Sequence, residues 1–410
     1  MTKSGDHTRK KLEALLDLFE GLALNRPGKE LYLKHKWAID EVNPADVIDV
    51  VDQLVQKEIP MDQMKTGISK ALNLLYQALS ALPVPEPVSG GFLHALMENN
   101  KVLDDKLKGL RPLIKEINQQ PDNVRILESL KEKVQDINQY PVVYQIKENL
   151  LFPILEKYWD DFRCVQVMWS IHDDIRRNLK ELLDLLEISI VNKGLPEENN
   201  LNTLLGDLFF AMYTIKFREE RILIPVILDT TGEVVLNETY QSTTDLTFPH
   251  HNPRKSIVIP AEAGTPSRPT ETTFKLPTID LPTGALSPTT LNLLFNHLPI
   301  DITYVDAEDK VQFFSDPPHR IFPRTRAVIG RKVQNCHPPE SMDAVNKILK
   351  SFKSGEKDLE EFWIDFRGRK IQISYYALRN EQKEYMGVLE VSQDITELQK
   401  RTGEKRLVNE

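Results

Sequence analysis

Leu298-Pro299-Ile300-Asp301-Ile302-Thr303-Tyr304-Val305-Asp306 opens a segment that closes on Leu389-Glu390-Val391-Ser392-Gln393-Asp394-Ile395-Thr396-Glu397, and the reading of this segment decides the fold of the last quarter of the chain. Ile302 to Val305 is a short apolar run that meets an acidic turn, Asp306-Ala307-Glu308-Asp309, and Val311 to Phe314 follows as the return arm of a hairpin would. Ile329 to Pro339 then leads into Met342, Val345, Ile348, Leu349 and Phe352, which are spaced as one face of a helix. Leu359 to Phe366, Lys370 to Leu378 and Tyr385 to Ser392 read as three further strands, with Arg367-Gly368 and Asn380-Glu381 in the turns between them. The order is two strands, helices, three strands.

Upstream of this segment the pattern is helical. Leu12, Leu15, Leu16, Leu18 and Phe19, then Val47, Val50, Val51, Leu54 and Val55, predict a small helical domain over residues 8–82, with Asn43 capping a helix that starts at Pro44. Prolines and glycines between Pro83 and Gly91 break it. From residue 91 to 230 four long helical segments are divided near Gln119 to Asp122, Tyr158 to Phe162 and Lys193 to Pro196, which predicts an antiparallel four-helix bundle. Residues 231–288, rich in Thr, Pro and Ser and containing His250-His251, are expected to be a semi-extended linker with a short hairpin at its start. The expected fold class is therefore multidomain: an all-α N-terminal domain and four-helix bundle, then an α+β domain over 289–402.

The 410 residues suffice for two or three cores, and the net charge of -9 leaves no basic character with which to neutralise phosphates, so nucleic acid is not an expected partner. No apolar run approaches the ~20 residues that cross a bilayer and no signal-peptide core follows Met1, so a cytoplasmic protein without a membrane partner is expected. The two cysteines, Cys164 and Cys336, fall in different predicted domains and are expected to be free thiols.

The two-strand, helix, three-strand order resembles the PAS domain, and Asp394-Ile395-Thr396-Glu397 resembles that family's strand-to-helix exit. The bundle repeats itself: Lys147 to Leu155 (KENLLFPIL) matches Glu219 to Ile227 (EERILIPVI), while His94-Ala95-Leu96-Met97-Glu98 and Met168-Trp169-Ser170-Ile171-His172 supply histidines at helical positions. This resembles the hemerythrin-like bundle and, across nearly the whole chain, a bacterial group of unknown function in which a small helical domain precedes such a bundle and a PAS domain. The chain departs from that group where it has Gly91-Phe92 in place of His-Pro, Val143-Tyr144 in place of His-Tyr, and Gly67 and Lys70 where a cysteine and a histidine are common.

The resemblance implies a residual metal site of His94, Glu98, Glu148, His172 and Glu220, able to hold one iron, zinc or manganese ion. The alternative is that these histidines are hydrogen-bonded helix residues and the glutamates pair with Lys147, Arg176 or Arg218; the lost imidazoles tilt the reading that way. For the PAS segment the resemblance implies a ligand cavity between sheet and helices. The candidate lining residues are Phe313, Phe314, Phe322, Val333, Cys336, His337, Trp363, Ile373, Tyr375 and Leu389, of which strand alternation must turn about half outward.

Cys336-His337 can serve a haem iron or a redox-sensitive thiol, or His337-Pro338-Pro339 can simply direct the next helix. Asn-Cys-Arg-Phe-Leu-Gln, the flavin photoreceptor string, is absent. With no phosphate loop, no Gly-x-Ser-x-Gly elbow, and no kinase, cyclase or DNA-binding segment after Glu397, the expectation is a non-enzymatic sensor or adaptor. Its PAS domain would take a small ligand and its output would pass to a protein partner; pairing of two copies through flanking helices accords with the resemblance. The other reading is a hemerythrin-like iron protein that binds O2, NO or iron.

Overall fold

Helices begin where the sequence places caps and prolines: α1 (Lys3–Ala23), α2 (Gly28–Asp40), α3 (Pro44–Val55) and α4 (Met61–Ala81). At α3 the predicted start is realised as a capping box, with Asp46 N donating to Asn43 Oδ1 at 3.0 Å and Asn43 N donating to Asp46 Oδ2 at 2.8 Å. The computed structural model describes residues 3–196, 199–242, 246–254, 279–281 and 283–403. Gly67 on α4 lies against the backbone of α1, where an added Cβ would stand 2.4 Å from Ala23 Cα. We expect Gly67→Ala to force the two helices apart at a cost of about 2 kcal/mol, read from urea unfolding of the helical signal; a loss below ~0.5 kcal/mol would show that the crossing relaxes freely.

The next helices are α5 (Phe92–Gln119), α6 (Val124–Ile137), α7 (Pro141–Ile146), α8 (Phe152–Tyr158), α9 (Cys164–Val191), α10 (Leu201–Arg218) and α11 (Ile224–Thr230). Lys147–Leu151 joins α7 to α8, and Glu219–Leu223 joins α10 to α11, each as a π-helical turn. The repeat seen in the sequence explains both: Pro153 and Pro225 lack an N–H and crowd the carbonyl four residues back, so the turn ahead of each widens. Its amide bonds then run five residues, Phe152 N to Lys147 O and Ile224 N to Glu219 O.

Where the sequence predicted a linker from residue 231, the chain instead forms α12 (Val234–Gln241) and packs onto α5. Leu236, Tyr240, Leu246 and Phe248 are buried, and the Phe92 ring meets both Tyr240 and Phe248. Asn237 Oδ1 accepts from Phe92 N at 2.7 Å and so caps α5, whose own residue at that place, Gly91, has no side chain. His250-His251 is bound through its backbone: Asn99 Oδ1 accepts from both amides and Asn99 Nδ2 donates to His251 O at 2.8 Å. The burial of these aromatic residues outweighs a composition that reads as loop. The expected hairpin at the start of the linker is thus a helix. A short hairpin, β1 (Ile279–Leu281) and β2 (Gly284–Leu286), occurs at its far end, and the middle of the linker lies outside the described residues.

Met1–Ile259 forms one compact unit and Pro260–Glu410 another. The break at Pro83–Gly91 is accordingly no boundary between units: Lys65 of α4 pairs with Asp174 of α9 at 2.6 Å, and Asp52 of α3 accepts from Arg163. No described helix is long and apolar enough to cross a membrane.

In the second unit α13 (Pro288–His297) precedes β3 (Asp301–Asp306) and β4 (Val311–Phe314). Short 3₁₀ turns and α14 (Met342–Ser354) follow, then β5 (Leu359–Phe366), β6 (Arg369–Arg379) and β7 (Tyr385–Asp394). The antiparallel sheet has the order β4-β3-β7-β6-β5. Val305, Val311, Val333, Leu349, Phe352 and Val388 form its core against α14.

Candidate functional site

Register decides which strand residues meet α14. Thr303 pairs with both Phe314 and Glu390, and Glu390 pairs with Tyr375, so Thr303, Glu390 and Tyr375 form one row across the inner face of the sheet. Val305 and Val388 form the next row. Between this face and α14 lies a cavity of about 30 Å³ lined by Val305, Val333, His337, Ile348, Tyr375 and Glu390, with Val345, Leu349 and Val388 completing the wall. It is apolar but for one carboxylate, one phenol and one imidazole.

The carboxylate is paired. Arg324 Nη2 donates to Glu390 Oε2 at 3.1 Å, and both side chains are nearly buried. Burial works against the Arg324 charge, but Glu390 holds its pKa above the ordinary value, and Arg324 Nε meets no acceptor among the described residues. A second arginine braces the floor: Arg320 donates through Nε to Phe322 O and through Nη2 to Thr303 Oγ1, at 2.9 and 3.1 Å. Burial, first, then Arg324 and Arg331 push the His337 imidazole down to about 4, while Glu390 pulls the other way. Burial also raises the Tyr375 phenol well above its usual range.

A depressed imidazole has a consequence for stability. Above pH 6.5 neither folded nor unfolded His337 carries a proton; between 6.5 and about 4 the unfolded chain takes one that the folded chain refuses. Stability of the second unit is therefore lost as pH falls through that window. His337→Asn should flatten this part of the profile in urea midpoints at pH 7, 5.5 and 4.5. Wild-type and variant profiles that run parallel would remove His337 from the account.

Of the residues predicted to line a cavity, Val333, His337 and Tyr375 do so. Trp363 is 61% exposed and pairs with Gln372 on the outer face. Phe313 meets Phe295 of α13 with its ring tilted by 54° and the centroids 5.4 Å apart, and Leu389 pairs with Tyr304 one residue out of phase with Glu390. Phe322 and Ile373 pack with Ile321 and Ile371 in a separate cluster, while Phe314 and Cys336 flank the main core. The error at β7 has a cause: Leu389 and Val391 form the more apolar alternate set, so the pattern alone points inward the face that the structure turns outward. Glu390 was missed for the same reason. Arg324 lies in a segment without periodicity and left no signal.

The five metal candidates do not converge. His172 is fully buried, its ring stacked on Tyr144 with centroids 4.3 Å apart, and its Nδ1 donates to Glu148 Oε1 at 2.8 Å. The Glu148 carboxylate also accepts twice from Arg176 Nη2, at 2.7 and 2.8 Å. Glu220 accepts from Asn100 at 3.2 Å, and Glu98 is bound by Lys101 at 2.5 Å. His94 stands near Glu98. Among the described residues no group of three or more His, Cys, Asp and Glu side chains is placed to hold an ion. At the centre sits an ammonium: Lys147 is fully buried, pairs with Glu219, and lies 4.5 Å from the Tyr144 ring centroid. A cation already neutralising the core carboxylate does not fit a metal, and the residual iron site drawn from the resemblance is corrected accordingly. Burial lowers the Lys147 pKa, raises Glu148 to about 7 and holds His172 neutral.

Residues 291–396 match the family model for the PAS domain. Among solved structures, a C-terminal domain from Streptococcus mutans is 32% identical, covering 30% of this chain and 97% of that one, with a TM-score of 0.29. The PAS domain of a protein from Colwellia psychrerythraea is 15% identical, covering 27% of this chain and 97% of that one, with a TM-score of 0.22. Comparison with curated proteins gave no match.

Proposed function

Because residues 291–396 form a PAS domain, we propose that the protein is a non-enzymatic sensor or adaptor whose PAS cavity takes a small, mainly apolar ligand with one polar group. The observation that carries this reading is Glu390, paired with Arg324 and standing with His337 and Tyr375 in the wall of an otherwise apolar cavity. A cavity of about 30 Å³ suits a ligand of a few heavy atoms, whereas haem or flavin needs the several hundred Å³ of an ordinary cofactor pocket. In this reading the helical unit is a hemerythrin-like bundle in which the Lys147–Glu219 pair fills the centre, and it passes the ligand-dependent change to a protein partner in the cytoplasm. The support is the repeat of Lys147 to Pro153 in Glu219 to Pro225.

The test is denaturing extraction of the purified full-length protein followed by mass spectrometry. We expect one small molecule near stoichiometry, and we expect Glu390→Gln to weaken its retention about tenfold, the worth of one charge-assisted hydrogen bond. Neither a co-purifying molecule nor saturable binding from a small-metabolite library would end the ligand reading.

A further inference from the structure

Asp62, Lys65, Thr66 and Ser69 recur on α4 at the spacing of one helix face, and that polar face borders a groove shared with α9 and α10. The groove has a volume of about 220 Å³. Its other walls bring in Ile171 of α9, which is buried, and Phe210 of α10, which is 53% exposed. Polar and apolar surface therefore face each other across one space.

The Lys65 ammonium pairs with Asp174 Oδ2 at 2.6 Å and with Asp62 Oδ1 at 2.9 Å, which leaves one of its three N–H donors over. Burial opposes the Lys65 charge, but Asp174 and Asp62 outweigh it and hold the pKa above the ordinary value. Asp174 Oδ1 accepts from Arg177, while Asp62 Oδ2 takes no hydrogen bond from any described residue. The Thr214 hydroxyl has no partner among the described residues, and Ser69, which accepts from Arg218 Nη2 at 3.1 Å, keeps its own O–H to donate.

These groups place three demands on an occupant. At the groove itself Lys65 and Arg177 balance Asp62 and Asp174, so a molecule of net charge would bring a charge that no wall neutralises. Unused donors stand at Lys65, Ser69 and Thr214 and an unused carboxylate oxygen at Asp62, so its head group must accept at one end and donate at the other. Ile171 and Phe210 call for an apolar body. A dry cavity of roughly 150 Å³ takes a benzene ring, so this groove suits a branched or aromatic side chain together with a head group.

We propose that the groove binds a free α-amino acid with an apolar side chain. Its carboxylate takes the Lys65 ammonium and the Thr214 hydroxyl, its ammonium takes Asp62, and its side chain lies between Ile171 and Phe210. The Lys65–Asp62 pair yields readily, because the Asp62 side chain is 92% exposed and such pairs are worth little. The site lies in the helical unit and is independent of the PAS cavity.

Full-length protein dialysed free of amino acids is titrated in a calorimeter with L-leucine, with 4-methylpentanoate, which lacks the amine, and with isopentylamine, which lacks the carboxylate. L-leucine should bind saturably and each analogue about tenfold more weakly, the worth of one charge-assisted hydrogen bond. Asp62→Ala alters an exposed side chain and leaves the core intact, so it should weaken L-leucine about tenfold and leave 4-methylpentanoate unchanged. Thr214→Val keeps the shape of the wall and should weaken both about fivefold. Three results would overturn the proposal: no saturable binding of L-leucine at millimolar concentration, either analogue binding as tightly as L-leucine, or an L-leucine affinity that neither variant moves.

Discussion

Replacing Lys147 by alanine will destabilise the helical unit by about 3–5 kcal/mol, because it strands the Glu219 carboxylate in a core from which both side chains are wholly excluded from water. Glu219 retains only the Asn100 amide, at 3.1 Å, as a described hydrogen-bond donor. Asn100 is itself held by the Tyr140 hydroxyl and shared with Glu220, so it has little to add. The stranded acid will escape by taking a proton, which makes the deficit pH-dependent: smaller near pH 5, where protonation is easy, and larger near pH 8. The double variant Lys147→Met with Glu219→Leu removes both charges and should recover most of the loss, since a well-packed apolar pair can match or exceed a buried ion pair. Urea denaturation at the two pH values reads all of this. A single-variant loss under ~1 kcal/mol would mean the pair is solvated after all.

Arg324→Leu is expected to cost the second unit about 3 kcal/mol. Glu390 stands in the middle of β7 on the inner face, and no other cation pairs with it among the described residues. Arg320, the nearest alternative, is engaged by Ser315 and Phe322 carbonyls and by Thr303. Losing Arg324 therefore leaves a carboxylate in an apolar cavity, and its pKa must rise. Glu390→Leu alone should cost less: it leaves a guanidinium whose long arm can bend its head toward water. The test is the order of the two losses by unfolding of the sheet signal; the reverse order would show that the arginine, and not the acid, is the trapped charge.

Strand order, helix starts and the bundle's divisions were legible because they rest on local chemistry. Asn43-Pro44 caps α3 as its residue types require, and the five predicted apolar runs became strands β3 to β7. The repeat of KENLLFPIL in EERILIPVI was also visible, and with it the two proline-bearing turns. What could not be seen was that position 147 carries an ammonium and position 219 a carboxylate that meet across the bundle. Spacing puts residues on a face; it does not say which distant face they meet. The fold of residues 231–254 was missed for a related reason: Tyr240, Leu246 and Phe248 are too few and too scattered to show periodicity, and only the surface of α5 gives them something to bury against.

By itself, then, the sequence determined the helical character of residues 8–230 and the α+β order of the last quarter, because these depend on propensity, capping and period. Tertiary structure alone decided the partners. It gave Glu148 to His172 and Arg176, Glu219 to Lys147 and Glu390 to Arg324, and among the described residues it left Nε and Nη1 of Arg218 with no acceptor. Those assignments turn on distances between residues far apart in the chain, where a shift of a few ångströms separates a paired charge from a buried orphan.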